Sequence, residues 1–384
     1  MLQSKSRAWV VVDRNAILHN VEEIKKLLDE KTKIMAVVKA NAYGHGDCVV
    51  AKLLENNGID TFAVSSVDEA LTLRCAGITK DILILGYTPE VHFHFLVEEN
   101  LIQNFLSLEY AKKLDEFAAM SDVLIRGHIK VDTGMGRLGI RYVDDDKNYD
   151  AIRSVYALPH LRSEGIFSHF SVADELDEDN LAYTAHQSEL FDEVILRLKE
   201  DKIDVGCTHI QNSYGVLNYK MKHDYVRPGL LLLGVTSDRA IPIRSHPDFI
   251  PALSWYANVS CVKTVHAGSN ISYGRHYKAT SDQKIATVSI GYADGVPRAA
   301  SNSGMHVLIH GVRCPIIGNV CMDQMMVDVS GIDNVCEGDR VTLVGKDQDE
   351  VIFIDEWSQL IHTINNDMLC RITNRVPRFY TVLK

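Results

Sequence analysis

The chain has 384 residues, a formal net charge of −11, and 46% hydrophobic and 24% charged residues. At roughly 100–200 residues per domain, that length predicts two domains and a core that needs no metal or disulfide staple. The acidic balance excludes the broad basic face of a nucleic-acid binder, and no run approaches about 18 consecutive apolar residues, so no membrane contact is expected from this segment.

The first fifteen residues lack the apolar core of a signal peptide. A cytoplasmic chain is expected, either whole or as the cytoplasmic part of a longer membrane protein. From there β-like runs alternate with amphipathic stretches. The runs are Ile34–Val38, Thr61–Ser65, Ile82–Gly86, Ile102–Leu106, Leu124–Val131, Ser163–His169, Cys207–Gln211 and Asp224–Arg227. Helical patterns such as Val49–Asn56, Val67–Cys75 and Leu108–Met120 lie between them. Eight such units predict an α/β fold of (β/α)8 type, with a doubly wound open sheet as the alternative. Two acidic runs, Asp144–Asp146 and Asp174–Asp179, read as solvated loops. Near Ile241 three prolines fall close together (Pro242, Pro247, Pro251), and β-rich runs follow at Ser254–Val265, Lys284–Ile290, Met305–Ile309, Met325–Val329 and Arg340–Val344. Residues 1–241 are therefore assigned to the barrel and 242–384 to a mostly antiparallel second domain, the extreme N-terminus packing with the latter. Eight scattered cysteines with no CxxC pair read as reduced thiols, and no metal site is expected.

Several segments carry chemistry. Ala36-Val-Val-Lys39-Ala-Asn-Ala-Tyr43-Gly44-His45-Gly46 puts a lysine at the C-terminal end of the first barrel strand, the catalytic end of such barrels. Burial there lowers a lysine's pKa and lets it condense with an aldehyde; a lysine snorkelling to solvent is the alternative. His128-Ile-Lys130-Val-Asp132-Thr-Gly-Met-Gly-Arg137-Leu-Gly139 contains the spacing Gly134-x-Gly136-x-x-Gly139, yet it sits mid-barrel with no acidic residue in strand context about twenty positions on, so a dinucleotide fingerprint is rejected. Arg137 there suits a carboxylate. His169 ends the sixth strand. His209-Ile-Gln-Asn212-Ser213 ends the seventh, where barrels often hold phosphate; Ser213, with backbone donors near Gly229 and Leu230 and the Tyr43 hydroxyl, fits that job, and a helix cap at Ser213 is the other reading. Arg227 ends the eighth strand.

The eleven-residue Lys39 segment closely resembles the cofactor-attachment motif of the alanine racemase family, whose cofactor is pyridoxal phosphate. The resemblance runs nearly end to end and implies roles for particular residues. Lys39 is the cofactor lysine and one acid/base. Arg137 binds the substrate carboxylate, oriented by Lys130, which is carbamylated in many members. His169 supports the second acid/base. Arg227 faces the pyridine nitrogen and, being always charged, leaves that nitrogen neutral and the ring a weaker electron sink. Tyr273, in Ile271-Ser-Tyr273-Gly-Arg275, is the acid/base for the opposite face and reaches the neighbouring subunit's site, so a homodimer with shared sites is implied. Tyr292 resembles an entrance residue and Met322 one that contributes near the carboxylate.

The chain departs from the family at Cys370-Arg-Ile-Thr-Asn374-Arg375-Val-Pro377-Arg. Asn374 is taken to stand where the family has a tyrosine that narrows the site, and a carboxamide offers both room and a partner for a substrate hydroxyl. That departure resembles the racemase domain of membrane-bound serine racemases of vancomycin-resistance systems. The expected activity is two-base Cα proton transfer on serine and alanine, giving D-amino acids for peptidoglycan precursors. An ordinary alanine racemase, a decarboxylase on the same barrel and a cofactor carrier remain the rivals.

Overall fold

The computed structural model describes residues 6–383. Eight parallel strands, Lys33–Val37, Thr61–Val64, Asp81–Ile84, Ile102–Phe105, Ile125–Asp132, Leu161–Phe167, Cys207–His209 and Tyr225–Val226, pair in succession, and the eighth pairs back with the first. The ring is closed, so the open-sheet alternative is excluded. Short runs such as Ile34–Val37 are buried on both faces, as strands must be when helices cover a barrel. Several helices begin where short polar side chains take up free N–H groups. Asp13 caps Arg14–Lys25, Ser66 caps Val67–Cys75 and Ser107 caps Leu108–Ser121.

The acidic runs divide. Asp144–Asp146 is exposed at the tip of a small hairpin. In the second run Asp177 caps the helix Glu178–Glu200, with Glu178 and Asp179 in its first turn, where the helix dipole favours negative charge. That run is structural at its end.

The second domain is mostly antiparallel. Leu253–Val265, Gln283–Val288, Met325–Asp328, Val312–Ile317, His306–Ile309 and Arg340–Asp347 pair in that order, and the last pairs back with the first. Leu253–Val265 also takes the N-terminal strand Ala8–Val12, which pairs in turn with Arg378–Tyr380. Both chain ends are thereby stitched into the second sheet. Proline-punctuated residues 236–251 run between the two bodies.

Candidate active site

The carboxyl ends of the barrel strands deliver the charged residues to one cavity of about 390 Å³. Lys39 follows the first strand, Arg137 the fifth, His169 the sixth, Asn212 and Ser213 the seventh, and Arg227, Gly229 and Leu230 the eighth; Tyr43 and Lys130 also line the wall. Loss of water holds the Lys39 amine below its ordinary pKa, and Arg137 adds to the effect.

Lys39 opens an unusual stretch of backbone. Ala40, Asn41, Ala42 and Tyr43 all have φ near +50° (52°, 56°, 47° and 49°). For residues with a Cβ, left-handed geometry costs roughly 1–2 kcal/mol each, so the surroundings must hold the turn. Glu69 accepts from the N–H groups of Ala40 and Ser65, at 2.7 and 2.6 Å. The C-terminal segment clamps the other end. Arg378 donates to the carbonyls of Gly44, Ile372, Thr373 and Val376, and Tyr380 donates to that of His45. Gly44 must lack a side chain, because a Cβ there would lie 2.3 Å from the Leu369 carbonyl oxygen.

Arg227 is fixed from below. Its Nη2 donates to the carbonyls of Ser168 and Ile210 and to His169 Nδ1, and its Nη1 donates to His209 Nδ1 at 2.7 Å. A guanidinium has no acceptor, so His209 must present a lone pair at Nδ1 and carry its proton on Nε2. That proton goes to His128 Nδ1 at 2.8 Å, and the opposite nitrogen of His128 faces Cys207 Sγ at 3.6 Å. Burial pushes the His128 pKa down to about 3 and holds that of His209 well below the ordinary value. Both rings are neutral donors in a line from the barrel floor to Arg227. His128, Cys207 and His209 lie close enough to suggest metal ligands, but His128 turns opposite nitrogens to its two neighbours, which makes a line and not a cage. Gly165 leaves room for it: a Cβ there would lie 2.7 Å from Cys207 Sγ.

Lys130 is buried beside this array. Its Nζ donates to the Val131 carbonyl and has no carboxylate partner among the described residues. Desolvation, with Arg227 next in effect, lowers its pKa to about 7. At the far wall Asn212, and not Ser213, caps the short helix Ser213–Asn218. Ser213 Oγ instead accepts from the Gly229 N–H at 3.3 Å.

The structure does not bring every expected residue to the cavity. Tyr273, Tyr292 and Met322 lie at one end of the second domain, 72%, 40% and 53% exposed. They are tied together by backbone: Asn319 donates to the Tyr273 carbonyl, and the N–H groups of Tyr292 and Ala293 meet the carbonyls of Cys321 and Met322. Asn374 is also exposed and outside the cavity wall. Three carboxamides line the cavity, those of Asn104, Asn212 and Asn366; the one from the C-terminal segment is Asn366, eight residues before Asn374, and its Oδ1, like that of Asn104, is buried with no hydrogen-bond partner. Sequence reasoning missed Asn366, Glu69, Arg378 and the His209–His128–Cys207 line. The signal for Asn366 was its place in the first turn of a short helix that runs into the Cys370 segment.

Residues 12–237 match the family model described as "Alanine racemase, N-terminal domain", and residues 252–380 match "Alanine racemase, C-terminal domain". The chain is 39% identical to the alanine racemase of Methanococcus maripaludis, over 97% of its own length and 98% of that protein. It is 37% identical, over 96% of its length, to a serine/alanine racemase of Enterococcus gallinarum, of which it spans 51%. Its fold superposes on an alanine racemase structure from Clostridium difficile 630 with a TM-score of 0.91 at 33% identity, covering 99% of this chain and 97% of that one.

Proposed function

Because this chain belongs to the alanine racemase family, whose members are pyridoxal-phosphate enzymes, we propose that it interconverts the L and D forms of both alanine and serine, and so supplies D-amino acids for peptidoglycan precursors. The donor set suits the cofactor. Lys39 offers an amine with a lowered pKa. The Tyr43 and Ser213 hydroxyls converge beside Gly229, where a Cβ would lie 2.5 Å from the Tyr43 hydroxyl oxygen and close the cradle. Arg227 would face the ring nitrogen as a fixed donor.

When bound, pyridoxal phosphate supplies the electron-withdrawing ring that makes a substrate Cα proton acidic. The protein's own residues do the rest. Arg137 holds the substrate carboxylate. Lys39, desolvated, exchanges a proton with Cα on one face. Tyr273 of a second copy exchanges it on the other, for which a hydroxyl that is exposed in one chain is suited. A neutral amine at Lys130, with a pKa of about 7, is the form that takes up CO₂; the resulting carbamate would supply the anion that orients Arg137. Among the described residues no helix is long and apolar enough to cross a membrane.

The observation that carries the serine reading is the unpaired Asn366 Oδ1 in the cavity wall. A buried acceptor without a partner costs about 1–3 kcal/mol, and a substrate hydroxyl would relieve it where a methyl cannot. The test is chiral chromatography of L-serine and L-alanine incubated with purified, cofactor-loaded protein. Racemisation of both is expected; release of CO₂ and amine, or no turnover of serine, would refute the reading. Borohydride should fix the cofactor to Lys39, and labelling at another lysine would refute that assignment.

A further inference from the structure

The catalytic cavity is not the most spacious one on the protein. A pocket of about 570 Å³ lies between the linker and the second domain. Ile241, Ile243 and Phe249 of the linker face Val351, Ile352 and Leu369 across it. Its size and apolar lining are those of a small-molecule site, and domain junctions are where such sites occur.

Its rim is cationic in a protein of net charge −11. Arg239 and Lys346 border the pocket, and neither has a carboxylate partner among the described residues. The Arg239 guanidinium rests 3.9 Å from the centre of the Phe353 ring. The one acidic residue in the wall, Asp355, is already engaged: its Oδ1 accepts from the Arg239 N–H and from Asn365 Nδ2. From this charge and shape we infer that the pocket binds a small amphipathic monocarboxylate, with its apolar chain between linker and sheet and its head at Arg239 and Lys346.

Such a molecule sits behind the wall of the catalytic cavity. Thr236 lines both spaces. The helix Asn365–Cys370 turns Asn366 to the catalytic cavity and Leu369 to the other. Asn365 staples that helix to the linker, donating from Nδ2 to the Thr236 carbonyl and from its N–H to the Ser237 carbonyl. Filling one space therefore shifts the wall of the other.

Calorimetric titration of the cofactor-loaded protein with decanoate, below its micelle concentration, tests the site. One saturable site per chain is expected. Arg239→Gln should weaken decanoate about tenfold, as losing a charge-assisted hydrogen bond does, and leave decanol unaffected. Val351→Trp, which fills the pocket, should abolish the binding of both. Saturating decanoate should change KM for alanine in the wild type and not in Val351→Trp. Absence of saturable binding, or binding that survives Val351→Trp, overturns the site. Equal loss of decanol in Arg239→Gln, or no loss of decanoate, overturns the anionic head, and an unmoved KM overturns the coupling.

Discussion

The two halves of the proposed catalytic apparatus are prepared in opposite ways. On the barrel, Lys39, Lys130 and Arg227 are held inside one chain, and desolvation shifts all three pKa values downward. On the second domain, Tyr273 stands 72% exposed with its backbone alone secured. The contrast teaches that a single copy tunes the barrel end by burial and leaves the proposed opposing acid/base, Tyr273, to be desolvated by something else. A second copy of the chain is the simplest cover, since each exposed tyrosine would then meet a prepared cavity.

The largest expected effect comes from Tyr273→Phe. It removes one hydroxyl and little volume. Racemisation should fall by about 10²–10⁴, the usual share of a general acid/base, with cofactor absorbance retained. Near-normal racemisation would dissolve the contrast. Lys130 sharpens the barrel side. Its neutral fraction falls as pH drops through about 7, and only the neutral amine takes up CO₂. Isotopically labelled bicarbonate should therefore give a carbamate signal above that pH that fades below it. Lys130→Met should lose the signal and about ten- to a hundredfold of activity, as lost support for a ligand-binding side chain does.

Asn366 and Asn374 provide a paired test of which carboxamide matters. Asn366→Tyr should lower the ratio of kcat/KM for serine to that for alanine by about ten- to a hundredfold, through lost hydrogen bonding and added bulk. Asn374→Tyr, on the exposed side of the same segment, should leave the ratio within about twofold. The reverse ordering would restore Asn374 to the pocket. The smallest effect is structural. Arg378→Lys cannot reach four carbonyls at once, and should destabilise the protein by about 1–3 kcal/mol with an unchanged denaturant slope.

The barrel was legible because its strands are short apolar runs broken by capped helices, and the candidate residues that line its cavity sit where strands end. Lys39, Arg137, Asn212 and Arg227 could be placed from their position after a strand. What stayed hidden depends on backbone geometry or on contacts far apart in sequence. Nothing in Ala40-Asn-Ala-Tyr43 announces four left-handed residues, and Glu69 and Arg378, which hold them, lie 29 and 334 residues from the atoms they contact. The position of the pocket carboxamide failed for a related reason: Asn366 lies inside the helix Asn365–Cys370 and Asn374 in the turn after it, and motif spacing does not say which of the two faces inward. The strands Val312–Ile317 and Glu350–Ile352 also escaped, because turns and charged residues interrupt their pattern.

Subunit mixing tests the central claim most directly. Tyr273→Phe and Lys39→Ala are each expected to lose most of their activity. If the barrel of one copy works with the tyrosine of another, mixed dimers contain one site with both native residues. Combining the two impaired variants under conditions of demonstrated subunit exchange should then restore racemisation of alanine. No recovery, with exchange confirmed, would contradict the account and place both acid/base groups within a single chain.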